Sequence, residues 1–194
     1  MSPVTHTMGS PPPDRSGPPI ASRLVGSAEL SHCETYRFWL HRGLAGRSDE
    51  DRRIAWVMAN PSTANAAASD PTITRIVRFS RAWSFTSLDV VNLSPFRSSK
   101  PELAHGHELA PWARRRNLAA LEHALSDADL VLAAWGTVGA PFLAADPDLR
   151  ACLAGRALHV LRLTKDGHPS HPLARGRHGA PHSAEPQPWG PSWA

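Results

Sequence analysis

The chain has 194 residues, 41% of them hydrophobic, and a formal net charge of +4. That leaves room for one domain with a real core, excludes a wholly disordered polyelectrolyte, and permits nucleic-acid contact without demanding it. Two distant cysteines, Cys33 and Cys152, exclude a disulfide framework and a cysteine-rich metal site, which fits a reducing cytoplasm.

In chain order, residues 1–22 come first, with Pro3, Pro11, Pro12, Pro13, Pro18 and Pro19 among Ser, Thr and Gly. Such a segment buries too little apolar surface to offset the entropy of ordering it, so a disordered tail is expected. It carries no charged-then-apolar leader pattern. TYRFWL (35–40) reads as a strand, aromatic and β-branched. RIAWVMA (53–59) is a short continuous apolar run, the mark of a buried strand. It stops at Asn60-Pro61-Ser62. The spacing predicts a helix over 71–83, with Asp70 as N-cap, Pro71 at its first position, and Ile73, Ile76 and Val77 on one face. SLDVVNL (87–93) is strand-like. PWARRRNLAALEHAL (111–125) is helical, with Leu118, Leu121 and Leu125 on one side. ADLVLAAWG (128–136) is a buried strand ending in Gly, and RALHVLRL (156–163) is a last strand. The most apolar stretch, Leu130 to Ala145, is interrupted by Gly136, Gly139 and Pro141 and is too short for a membrane span. Residues 175–194, rich in Pro, Gly and His, are expected to be a second disordered tail, leaving one domain over 23–174.

Apolar runs separated by helical segments indicate βαβ units. The expected fold is a three-layer α/β/α domain. Its central, mostly parallel sheet has about four strands, plus an N-terminal edge strand. In such sheets ligands sit beyond the carboxyl ends of the strands. Those ends read NPST, VNLSPFRSS, AWGTVG and, after the last strand, TKDGHPSHPL. Turns favour Asn, Ser, Gly and Pro in any case. Turns alone would produce part of this pattern, but the conjunction of Asn60, Asn92, Arg97, Trp135, Lys165 and His171 on one edge is harder to dismiss. Asn60, Asn92, Gly136 and His171 are expected in a single pocket there.

WVMANPSTANAAASDPTITR, LDVVNLSPFRSSKPEL, LVLAAWGTVG and LTKDGHPSHPL resemble, in order and spacing, the domain of unknown function 1643 family of bacterial and phage proteins. The likeness spans about residues 35–174. Asn60, Asp70, Asn92, Arg97, Trp135, Lys165 and His171 match the family pattern. Asn65, Ser84-Phe85, Leu118 and Ala174 depart from it.

The layout also resembles, more remotely, the uracil-DNA glycosylase superfamily. That likeness implies a parallel sheet between helices, a polar motif after the first strand that positions a water, and a His-Pro motif after the last that faces the leaving base. ANPS (59–62) and HPL (171–173) would fall in those places. Cleaving an N-glycosidic bond needs a held water and stabilisation of a base leaving as an anion. Asn60 can orient a water. Asp70 can act as base, although its capping role accounts for it equally well. His171 can donate to the leaving base's oxygen, or be a turn residue beside Pro172. Ser62 and Thr63 offer hydroxyls and backbone N–H groups to a phosphate or water. Arg97 and Lys165 can hold a phosphate, as charge-assisted donors, or be solvated surface cations. Asn92 and Gly136 complete the wall. Trp135 can stack on a base, or be core packing. A contact between the basic run ARRR (113–116) and a phosphate backbone also stays open. His168, His171, His178 and His182 invite a zinc reading, but tail composition explains them better.

The expected function is therefore a nucleobase- or nucleotide-directed hydrolase. The alternative is a non-catalytic nucleic-acid or nucleotide-binding domain. Neither calls for a cofactor or a metal, and a monomer is assumed.

Overall fold

The computed structural model describes residues 26–44, 51–62, 64–65, 67–191 and 193. The expected N-terminal tail, and Thr63, lie outside them. Seven strands form one sheet in the order β1-β2-β4-β3-β5-β6-β7. These are β1 (Gly26–Leu30), β2 (Arg37–Gly43), β3 (Arg53–Met58), β4 (Ser87–Asn92), β5 (Leu130–Ala133), β6 (Leu158–Val160) and β7 (Gln187–Trp189). The inner four, β4-β3-β5-β6, are mutually parallel. The outer strands β1, β2 and β7 are antiparallel to their neighbours. The sheet is thus mixed and larger than the four-plus-one expected.

Alternation along the strands builds the layers. Ile54, Trp56 and Met58 of β3 join Leu88 and Val90 of β4 and Leu132 of β5 on one face. There they pack on Ile73, Ile76 and Phe79 of helix α1 (Pro71–Ala82). Ala55 and Val57, with Val91, Val131, Ala133 and Trp135, face the other side. They meet Leu121, Ala124 and Leu125 of α3 (Pro111–Ser126), and Leu143, Leu149 and Leu153 of two short helices, α4 (Ala140–Ala145) and α5 (Pro147–Leu153). A fifth helix, α2 (Pro101–His105), is one turn in the β4–α3 connection. Because β3 is covered on both faces, five of its six residues are buried, which is why its sequence reads as an unbroken apolar run.

α1 begins as its sequence requires. Asp70 is extended, its side chain accepts from Ile73 N at 2.8 Å, and Pro71 holds the first position. The basic run at the start of α3 is largely neutralised. Arg114 makes ion pairs with Asp146 and Asp148, and Arg116 with Glu29. Local carboxylates offset the repulsion between these cations and the helix dipole, leaving Arg115 as the one of the three without an ion pair among the described residues.

The segment after residue 174 is not the disordered tail expected from its composition. β7 pairs with β6, Ala180 is buried, and Arg75 Nη2 donates to Ala180 O at 2.6 Å. Trp83 Nε1 donates to Ala184 O at 3.1 Å, and Trp189 meets the Trp135 ring edge-on at 5.7 Å. No helix among the described residues is long and apolar enough to cross a membrane.

Candidate functional site

β3 connects through α1 to β4 on one side of it, while β5 connects through α4 and α5 to β6 on the other. The connections diverge between β3 and β5, and this opens a crevice at the carboxyl ends. A cavity of about 220 Å³ lies at that edge. Its wall takes Asn60 and Ser62 from the end of β3, Asp70 and Thr72 from the start of α1, and Asn92 from the end of β4. Ser98 and Ser99, Val138 and His171 close it.

Asn60 is fixed from both sides. Pro61 disfavours helical backbone at Asn60 and ends the strand there. The Asn60 amide donates to Ser98 O at 2.8 Å and Pro61 O at 3.1 Å. Both amide protons are thereby engaged, and Oδ1 is the group left to accept from a ligand or water. Asp70 spends Oδ1 on the helix cap. Its second carboxylate oxygen has no hydrogen bond among the described residues. His171 Nδ1 accepts from Leu173 N at 3.2 Å. That fixes the neutral tautomer with the proton on Nε2. Burial holds the His171 pKa below 6.5, opposed in part by the Asp70 charge. The imidazole is neutral at neutral pH and presents one N–H donor.

Gly136 lies beside His171. It sits at φ 66° and ψ −171°, a conformation essentially confined to glycine. A Cβ there would come 3.7 Å from His171 Cβ, and Gly136 N donates to Pro169 O at 2.8 Å. The pairing ties the end of β5 to the histidine loop.

Sequence reasoning missed Arg37. It lies in β2 between two aromatic residues, where it reads as an ordinary strand position. Its guanidinium is 2% exposed and lines the cavity. Nη1 donates to Ala64 O at 3.0 Å and Nη2 to Asn92 Oδ1 at 3.2 Å. Burial lowers its pKa to about 10, partly countered by Asp70, so it stays charged. Asn117 was missed as well. From α3 its Nδ2 donates to the carbonyls of Asn92 and Leu93 at 3.0 and 3.2 Å and pins the end of β4.

Four expected residues do not line the cavity, and one of them is Gly136, which stands beside His171 and not in the wall. Trp135 is 1% exposed in the core on the α3 side. It borders a separate cavity of about 460 Å³, together with Trp189. Its side chain follows the strand's alternation to the opposite face from the site. Arg97 is half-buried and binds Glu34, through the backbone carbonyl at 2.9 Å and the carboxylate at 3.1 Å. Lys165 is exposed on the turn after β6, where Gly167 N bonds back to Thr164 O. It points to no cavity residue by any hydrogen bond among the described residues. Of the histidines read as a zinc set, His178 approaches Leu163 O and His182 approaches Arg75, apart from His171.

No curated protein matches the chain, and no solved structure matches it. The model of a family described as "Protein of unknown function (DUF1643)" matches residues 37–173. This range runs from the buried Arg37 to the turn that fixes His171, and the chain belongs to that family.

Proposed function

We propose that the protein is a nucleobase- or nucleotide-directed hydrolase that cleaves an N-glycosidic bond in the carboxyl-edge cavity. One observation carries the reading: Asn60, Asp70 and His171, from three separate segments, line the same small cavity. In the proposed reaction Asn60 Oδ1 accepts from a water held over the sugar C1′. The water oxygen forms the new bond to that carbon and passes a proton to the second oxygen of Asp70. The C–N bond breaks with its electron pair going to the base. His171 Nε2–H donates to the oxygen of the departing base anion, a preorganised dipole aimed at developing charge. Ser62 stands at the rim as a further donor. Gly136 lets the histidine loop approach the end of β5. Arg97, Lys165 and Trp135 have no part in the bond-breaking step.

The same positions support a likeness to the uracil-DNA glycosylase superfamily as part of the proposal. Asn60-Pro61 follows the first parallel strand and His171-Pro172 follows the last. The second reading is a non-catalytic nucleotide-binding domain. The capping bond of Asp70 and the backbone bonds of the Asn60 amide favour it, since both are structural uses of the same groups.

Mass spectrometry of products after incubation with modified-base DNA, RNA and free nucleotides separates the two. Release of free base from one of these, lost in Asp70→Asn and in His171→Gln, is the expected result. Binding without base release from all three leaves the non-catalytic reading.

A further inference from the structure

Arg37, in the cavity wall, belongs to a group of arginines that holds more positive charge than it balances among the described residues. Among the described residues Arg37 touches no carboxylate; the hydrogen bonds it makes there go to a backbone carbonyl and an amide oxygen. Arg42 and Arg97 act on it as like charges, and Asp70 as the opposing one. Arg97 is paired with Glu34, whereas Arg42, 8% exposed, bonds only to carbonyls among the described residues. Counted over the described residues, the group keeps a surplus of one positive charge, a costly arrangement without an anion nearby. Donors are in surplus too. Arg37 Nε and Asn92 Nδ2 are buried with no acceptor among the described residues. Because Arg37 holds Asn92 Oδ1, the amide is oriented with its NH2 as the unused end.

We propose that Arg37 and Asn92 form an oxyanion site that takes the terminal phosphate of a small phosphomonoester, a nucleotide in the setting of the reading above. This deepens that reading and rests on it for the identity of the cavity. The terminal position follows from burial. Arg37 and Asn92 are 2% and 1% exposed in the lining of a cavity of about 220 Å³. An internal phosphodiester, with chain continuing on both sides, does not reach groups so deeply buried. A planar guanidinium and an amide NH2 match the tetrahedral oxygens of a phosphate.

The test is thermal melting and calorimetric titration of the full chain at matched ionic strength. The three probes are inorganic phosphate, a nucleoside 5′-monophosphate and the parent nucleoside. Saturable stabilisation by phosphate and more strongly by the nucleotide is expected, with little from the nucleoside. Asn92→Asp keeps the shape of the side chain and places a negative oxygen against Arg37. It should weaken phosphate binding at least about tenfold. Arg37→Gln should do the same; where it fails to fold, Asn92→Asp decides alone. Absent phosphate binding, phosphate binding unchanged in Asn92→Asp, or equal binding of nucleoside and nucleotide each overturns the proposal. Base release from internal positions of a strand, without phosphate binding, overturns this inference and leaves the hydrolase reading standing. Asn92-dependent phosphate binding without base release does the opposite.

Discussion

Asp70 caps α1 through Oδ1, and the proposed reaction places a proton on its second oxygen, so the two uses can be tested apart. Asn caps helices as well as Asp does. Asp70→Asn should therefore keep the melting temperature close to that of the parent while abolishing turnover. Asp70→Ala should lose about 0.5–2 kcal/mol of stability as well. If Asp70→Asn retains full turnover, the carboxylate is a cap alone. His171 gives a pH signature. Its folded pKa lies below the ordinary 6.5 because burial disfavours the charged ring. The unfolded chain then binds the proton more readily. The contribution to stability is whole above 6.5 and is lost as pH falls through the lower folded value. Melting temperature should therefore fall more steeply on acidification in the parent than in His171→Gln, measured by the same scan at stepped pH. Asn60, Asp70, Asn92 and His171 were legible in the sequence because each ends a strand, starts a helix or follows a strand. Those positions are fixed by backbone rules that a sequence displays. Arg37 was not, since its importance comes from neighbours distant in sequence, Ala64 and Asn92. For Asn60, reading NPST as a site loop leads to an expectation of little change in melting for Asn60→Ala. The two backbone acceptors of its amide give instead a loss of roughly 0.5–1.5 kcal/mol per bond.

At the scale of elements, β2 does more than edge the parallel block. Two arginines from it reach under the loop between β3 and α1. Arg37 bonds to Ala64 O, and Arg42 Nη2 to Asn65 O at 2.5 Å and Ala68 O at 3.3 Å. Within the loop Asn65 Oδ1 accepts from Ala67 N and Ala68 N, and Asn65 N donates to Ala68 O. This is a local turn that an Asp at position 65 would make equally well, so the departure from the family pattern there has little structural consequence. Arg42→Met should speed amide exchange at Asn65 and Ala68 while α1 keeps its protection. Ligand affinity should drop with it. Unchanged exchange at those amides would show that the loop holds itself. The parallel strands and α1 were readable because continuous apolar runs and a capped, periodic helix are local signals. α4 and α5 were not, because Gly139, Pro141 and Pro147 break the pattern into helices too short to show periodicity.

At the scale of the molecule, the C-terminal segment is where composition and structure part. Pro181, Pro186, Pro188 and Pro191 argue against a strand, since proline cannot donate to a ladder. Yet β7 is an edge strand, opposite a short β6 at the registers His159–Pro188 and Leu158–Trp189, and an edge tolerates the missing N–H on its outer side. Ordering the segment is offset by nonlocal contacts: Trp189 on Trp135, Ala180 beside α1, and the Trp83 indole bound to Ala184 O. A chain ending at residue 179 should therefore melt well below the full chain. Trp189 is half-buried, so its loss should cost about half of the full aromatic-to-Ala truncation, roughly 1.5–2.5 kcal/mol. At about 2–4 °C per kcal/mol for a chain of this size, the melting temperature should fall by roughly 3–10 °C. Trp135 fluorescence should shift to the red as its ring edge meets water. Because the chain has seven tryptophans, that shift is read as the difference between each chain, full or truncated, and its own Trp135→Phe variant. An unchanged melting temperature on truncation would mean that the segment rests on the sheet without stabilising it, as its composition alone predicts.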